Sequence, residues 1–215
     1  MIAVLTEIRV HPGPSVVKST EAPIAVDSVA TTDHDLMLAV RAGEIARLGD
    51  LFERYHRPLY GFFVRLTGQR TASEDLVQLV FYRILKYRHT YRDEGKFSAW
   101  IYHLARKVVA DHFRKSARAP AILDEPDDLH EVPDRAPHAA EQAAQADDLA
   151  LMHRALGALP LEQRELLTLH RFHNIHHEEL ARLFDCSVGA VKVRMHRALG
   201  ALREHYFKLR QERAA

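Results

Sequence analysis

Residues 116 to 137 read "SARAPAILDEPDDLHEVPDRAP", a stretch holding four prolines and six acidic residues. Proline removes the amide donor that a helix needs, and clustered carboxylates resist burial, so this stretch cannot continue a helix and makes a poor core. The chain is thereby divided into parts that must each bury their own apolar surface, and 215 residues suffice for two small cores. The predicted organisation is a flexible N-terminal tail over 1–35, a first domain over 36–115, the acidic, Pro-rich linker over 116–137 and a second domain over 138–215. The tail is assigned because its first thirty or so residues carry three prolines and no sustained apolar period.

Outside the linker the apolar residues recur at helical spacing. From Ile45 the positions 45, 48, 52, 55, 59, 62 and 66 step by three and four, which predicts an amphipathic helix ending near Gly68, kinked at Pro58. A second helix is predicted from about Ala72 to Tyr87, with Leu76, Val77, Val80, Phe81, Ile84 and Leu85 on one stripe. A third begins near Phe97, with Trp100, Ile101, Leu104 and Val108 inward and His103, Arg106, Lys107, Ala110 and Arg114 outward. After the linker come a helix from about His138 to Leu159, then "LEQRELLTLHRF", "HEELARLF" and a last helix from Ser187. No strand alternation is found, so the fold class is all-α: two small helical domains joined by a flexible acidic linker.

Charge is segregated along this organisation. The chain total is +1, but residues 1 to 35 carry −3, 36 to 115 carry +7, 116 to 137 carry −4 and 138 to 215 carry +1. A basic block followed by an acidic connector points to nucleic-acid partners before a small-molecule enzyme. The single cysteine, Cys186, excludes an internal disulfide framework and a cysteine-built zinc site and fits a reducing compartment. The N-terminus lacks the basic and continuous apolar regions of a signal peptide, and no apolar run reaches membrane-spanning length, so a cytoplasmic location without membrane insertion is expected.

The segment "DCSVGAVKVRMHRAL" joins a turn to a helix with two faces. Ser187 is a suitable N-cap, and Val188, Val191, Met195, Ala198 and Leu202 repeat by three and four as the packed face. Lys192, Val193, His196 and Arg197 are left outward, flanked by Arg194 and Arg203. Helix, short turn and second helix form a helix-turn-helix, whose second helix can present such donors to a major groove. In the first domain aromatic and basic residues interleave from Phe81 to Lys115, including Tyr87, Arg88, Tyr91, Arg92, Lys96, Tyr102, His103, Arg106, Lys107 and Arg114. Aromatic faces stack on unpaired bases while cations follow the backbone, so this pattern suits single-stranded or opened DNA. On the second helix Asp75, Gln78, Leu79 and Tyr82 share the face opposite the core stripe, which suggests protein docking.

The segments "SEDLVQLVFYRILKY", "FSAWIYHLARKVVADHFRK" and "LPLEQRELLTLHRFHNIHHEELARLFDCSVGAVKVRMHRALGALR" together resemble regions 2 and 4 of an extracytoplasmic-function (ECF) sigma factor of the sigma-70 family. The resemblance covers about residues 36 to 115 and 138 to 207, in order. It implies a dissociable subunit of bacterial RNA polymerase that recognises and helps open promoters, without enzyme activity or cofactor of its own. It implies that Asp75 and Gln78, with Leu79 and Tyr82 beside them, dock on core polymerase. Tyr87, Arg88, Tyr91, Arg92, Lys96, His103, Arg106, Lys107 and Arg114 would bind the minus-ten element and a flipped base. Lys192, Val193, His196 and Arg197, from a helix capped by Ser187, would read the minus-thirty-five element, with Arg171 near the backbone. The acidic linker would run through the polymerase's nucleic-acid channel, and an anti-sigma factor is an expected partner. Leu79, Lys107, Ala190, Asn174 and His176 depart from the family's usual residues; Asn174 stands at a glycine position, which Asn can serve because it tolerates the left-handed conformation.

Two other readings compete. A helix-turn-helix regulator independent of polymerase would carry a ligand pocket or receiver in place of the basic aromatic domain. A histidine-based metal site is suggested by His170, His173, His176 and His177, but a helix break interrupts their spacing and no cysteine is near in sequence; no metal is expected, and these histidines are predicted to lie at the surface or toward DNA.

Overall fold

The computed structural model describes residues 31–92, 96–118 and 139–214. Most of the predicted tail and nearly all of the predicted linker lie outside the described residues. The described chain is helical, with no strand: α1 (Asp33–Ala42), α2 (Arg47–Thr67), α3 (Arg70–Tyr87), a 3-10 turn (Arg88–Thr90), α4 (Phe97–Ser116), α5 (Ala139–Gly157), α6 (Leu161–Phe172), α7 (His177–Leu183) and α8 (Val188–Ala214).

α1 replaces the end of the predicted tail. Thr32 and Asp35 form a reciprocal capping box, and Gly43, at φ +112°, ends the helix in the left-handed conformation. Leu36, Met37 and Val40 are buried, so three residues of one short helix commit it to the core. The sequence reading starts its first helix only at Ile45, because ten residues offer too short a period to stand out beside the longer pattern that follows.

α2 is the central helix of the first group and touches α1, α3 and α4 as well as α5 and α6 of the second. It continues through Pro58 as one helix of 21 residues and stops at Gly68, φ +73°. Its buried face is Leu51, Leu59, Phe62, Phe63 and Leu66, whereas Ile45 and Phe52 remain 43 % and 38 % exposed. The stripe is thus wider and rotated from the predicted one, because neighbours pack on more than one side of the helix. α3 buries Leu76, Val77, Val80, Phe81 and Ile84 as predicted, while Leu85 is half-buried. α4 buries Phe97, Ile101, Leu104 and Val108; Trp100 is half-buried against the core.

In the second group α8 lies against α5, α6 and α7. α6 and α7 are followed by Asn174 (φ +51°) and Asp185 (φ +48°) in the left-handed region, and Asn174 serves there as its identity predicts. The two groups do not stand apart. The described residues from Thr32 onward form one compact unit, and the buried apolar cluster is continuous from Leu36 in α1 to Ala198 in α8.

Candidate nucleic-acid interface

Three surfaces carry the residues singled out from the sequence. The first is a cleft of about 600 Å³ between the end of α3, the 3-10 turn and the start of α4. Arg83, Tyr87, Thr90, Tyr91, Arg92, Trp100, His103, Leu104 and Lys107 line it. The cleft therefore gathers Tyr87, Tyr91, Arg92, His103 and Lys107 from the predicted minus-ten set. Arg83, Thr90 and Trp100 are added by the structure. Arg83 belongs to the interleaved aromatic and basic pattern, but only the packing of α3 against α4 turns it toward the cleft.

The aromatics divide by burial. Tyr87 is 38 % exposed and presents a ring to solvent, whereas Tyr91 is 2 % exposed and Tyr102 is 3 % exposed. Tyr91 is therefore not the free stacking face that the sequence predicted: its ring meets Trp100 edge-on at 5.1 Å and Phe97 at 6.1 Å, and supports the cleft from beneath. The cations also divide. Arg83 is held by Asp111 at 2.6 Å, which, with Arg114 at 3.1 Å, keeps the Asp111 carboxyl below its usual range, chiefly through the Arg83 hydrogen bond. His103 is biased toward its neutral form by partial burial and by the neighbouring Lys107 and Arg106 charges. Arg88 turns back to donate to the Leu85 carbonyl at 2.6 Å.

Arg106 and Lys96 are both ion-paired, Arg106 half-buried and Lys96 at the surface. Arg106 Nε donates to Glu165 Oε2 at 2.9 Å, Nη1 donates to the Leu183 carbonyl, and the guanidinium lies 3.8 Å from the centre of the Phe184 ring. Lys96 Nζ pairs with Glu179 at 2.9 Å. Both acidic partners belong to the second helical group, so in this arrangement two predicted DNA contacts are satisfied by carboxylates instead of phosphates. The same seam contains the Tyr102 hydroxyl 2.6 Å from His173 Nδ1, and Arg65 lies 4.0 Å over Phe172.

The second surface is the outer face of α8. Ser187 Oγ accepts the Ala190 amide at 3.1 Å, which caps the helix as predicted. Val191, Met195 and Ala198 are buried, and Lys192, Val193, His196 and Arg197 are exposed together on the opposite side. Arg194 is drawn to Glu162 at 2.6 Å. Arg171 is exposed at the end of α6.

The third surface is the outer face of α3, where Asp75, Gln78 and Tyr82 are exposed, Tyr82 by 57 %. Leu79 departs from the prediction: it is half-buried against the core, at the margin of the Leu76 and Val80 stripe.

The histidines are dispersed in role. His173 is enclosed by Phe62 and Tyr102 at centroid distances of 5.7 and 4.7 Å, contrary to the predicted surface or DNA-facing position. Burial, with a smaller contribution from Arg65, pushes its pKa down to about 4. His170 lies against His177, 4.7 Å between ring centres, with its Nδ1 3.1 Å from the Ile175 carbonyl. His176 caps α7 through its backbone only, without a side-chain hydrogen bond. Among the described residues no group of three or more metal-ligating side chains converges.

Comparison with known proteins matches two families in the same order. Residues 51–119 match Sigma-70 region 2 and residues 149–202 match Sigma-70, region 4. The chain is 31 % identical to the ECF RNA polymerase sigma factor SigX of Bacillus subtilis over 164 residues, covering 75 % of this chain and 84 % of that one. It is 35 % identical to ECF RNA polymerase sigma factor ShbA of Streptomyces griseus, covering 83 % and 90 % of the two chains. Among solved structures, sigma factor RpoE from Bartonella quintana, in complex with the anti-sigma factor NepR, has a TM-score of 0.56 at 24 % identity, over 73 % of this chain and 94 % of that one. CnrH, in complex with the cytosolic domain of CnrY, has a TM-score of 0.57 at 22 % identity, over 80 % and 95 %. Two matched regions in order, an all-helical fold shared with these structures, and relatives aligned over most of their length place the chain in one family: it belongs to the ECF sigma factors of RNA polymerase, within the sigma-70 family.

Proposed function

We propose that the chain recognises its promoters in two parts, with the cleft of the first group taking an unpaired base of the minus-ten element and the outer face of α8 reading the minus-thirty-five element. The cleft carries this reading. Tyr87 and Trp100 offer aromatic surface, and Arg92 and Lys107 offer cations around the same opening, with Arg83 beside them paired to Asp111. A base entering such a site exchanges stacking in the duplex for stacking on an aromatic side chain, while the cations neutralise the flanking phosphates. That combination holds an opened strand and has little use in a duplex-only reader, whose bases stay stacked.

On α8, Lys192, His196 and Arg197 supply donors and Val193 an apolar contact suited to a thymine methyl in the major groove. Asp75, Gln78 and Tyr82 on α3 form the docking face for core polymerase, with Leu79 contributing only its exposed edge. The acidic segment between the regions occupies the polymerase's nucleic-acid channel, where its charge substitutes for that of a strand. The chain acts in the cytoplasm, where polymerase and DNA are, and contributes specificity without catalysing a reaction itself; among the described residues no helix is long and apolar enough to cross a membrane. A protein partner of anti-sigma type is part of this reading, supported by the complex with the anti-sigma factor NepR in which RpoE was solved.

The test is transcription by core polymerase with and without the purified chain, on promoters recovered by selection from a random pool. Specific initiation is expected only when the chain is present. Failure to bind core, or no specific initiation on any recovered promoter, overturns the reading.

A narrower outcome separates the surfaces. Lys192→Ala and Arg197→Ala are each expected to weaken binding to the upstream duplex by about 1–3 kcal/mol while leaving core binding intact. Gel-shift titration and a core-binding assay read the two effects, and loss of core affinity would mean that α8 serves the polymerase instead.

A further inference from the structure

α1 lies ahead of the Sigma-70 region 2 match, which begins at residue 51, and belongs to none of the three surfaces above. Two of its side chains nevertheless reach the base of the cleft. Arg41 Nη1 donates to the main-chain carbonyl of Tyr91 at 2.8 Å, and His34 Nδ1 lies 2.8 Å from the Tyr91 hydroxyl. Tyr91 is thus gripped at both ends, at its backbone and at its phenol, from a helix about fifty residues away in sequence. α1 is itself fixed. Asp33 accepts from Arg54 at 2.6 Å and from the Tyr55 hydroxyl at 2.7 Å, both on α2, and the Tyr55 ring packs edge-on against Phe97 at 5.1 Å.

Tyr91 is the residue where the chain leaves the 3-10 turn in an extended conformation, φ −67° and ψ 125°. Its position sets where Arg92 departs and against what Trp100 rests, since the two rings meet at 5.1 Å and both line the cleft. A loop left to itself samples many conformations, and ordering it on binding would subtract from affinity; a loop held beforehand does not carry that cost.

We propose that α1 is a positioning element for minus-ten recognition: Arg41 and His34 hold Tyr91, and through it Trp100 and Arg92, so that the cleft is formed before DNA arrives. This rests on the reading of the cleft as the site of an unpaired base. Neither α1 residue lines the cleft, so both act through Tyr91 and are positioning residues.

Trp100 is the single tryptophan of the chain, which makes its emission a direct report on the cleft. The experiment uses the full chain for fluorescence and its complex with core polymerase for binding. The probe is a single-stranded oligonucleotide copied from the non-template minus-ten strand of a promoter recovered in the selection above. Arg41→Ala is expected to shift Trp100 emission and to weaken oligonucleotide binding on the order of tenfold, the effect of losing one charge-assisted hydrogen bond that orders the site. Core affinity and binding to the upstream duplex should not change. Arg41→Lys, whose ammonium can still donate to the carbonyl, should recover part of the affinity, whereas Arg41→Met, of similar reach but without a donor, should bind as weakly as Arg41→Ala, which a merely bulk effect of the side chain would not produce. His34→Ala should act in the same direction as Arg41→Ala.

Two results overturn the proposal and are distinguishable. If Arg41→Ala and His34→Ala leave emission and oligonucleotide affinity unchanged while Lys107→Ala or Tyr87→Ala weakens binding, the cleft is the base site but α1 does not position it. If the Lys107 and Tyr87 variants also bind as the wild type does, the base-site reading fails and the positioning role falls with it.

Discussion

Arg106→Ala is expected to destabilise the compact chain by about 3–5 kcal/mol, the usual cost of removing one partner from a buried ion pair. Glu165 is only 6 % exposed in its side chain, and Arg106 only 20 %, so water screens the pair little. Burial already raises the Glu165 carboxyl above its ordinary range, and the Arg106 charge and hydrogen bond are what oppose that rise. Without the guanidinium the carboxylate must take up a proton, or α6 must part from α4; the chain will follow the cheaper course. Urea denaturation reads the first outcome and small-angle scattering the second, as a larger radius of gyration. Unchanged stability and an unchanged radius together would refute the assignment. A paired Arg106→Met, Glu165→Met variant should recover most of the loss, because two apolar side chains leave no unpaired charge.

His173 is expected to make stability fall in mild acid. Its pKa is pushed down to about 4 in the folded chain, against 6.5 for an unburied histidine, so the unfolded chain binds the proton more readily throughout that interval. Folding stability from this residue is fully present above pH 6.5 and is lost as pH falls from there toward 4, by about 3 kcal/mol in total. Glu165 acts in the opposite sense. Its raised carboxyl holds a proton in the folded chain that the unfolded chain releases above about 4.5, so its contribution declines as pH rises beyond that point. The wild-type profile is the sum of the two. A His173→Phe, Tyr102→Phe variant keeps the ring packing on Phe62, removes the hydroxyl that would lose its partner, and should abolish the acid-side loss. Stability curves of the two proteins between pH 7 and pH 4.5 that run parallel would refute the role given to His173.

These two expectations concern residues whose roles could not be read from periodicity. Arg106 falls on the outward side of α4 by helical spacing, and that placement holds; what spacing cannot supply is that Glu165 and Phe184, 59 and 78 positions later, occupy the same outward space. Tyr91 and His173 show the same limit from the other side. Each stands in a short connecting stretch where no period indicates a face, and each is enclosed only because a distant helix closes over it. For α1 a local signal did exist: Thr32 with Asp35, followed by Leu36, Met37 and Val40 and a stop at Gly43, is a capped helix in miniature. Leu79 follows a different rule, since a residue at the margin of a stripe is buried or exposed according to the width of its neighbour.

The sequence by itself determined the helical class, the helices from α2 onward, the cap at Ser187 and the face of α8 that carries Lys192, Val193, His196 and Arg197. All of these depend on interactions within a few residues, where spacing, capping and proline chemistry act directly. Tertiary structure alone decided that Arg106 and Lys96 are paired with Glu165 and Glu179, that His173 is half-buried against Phe62 and Tyr102, and that α1 reaches across to hold Tyr91. Those contacts join residues far apart in the chain, and which of them form depends on how whole helices pack, which no local pattern encodes.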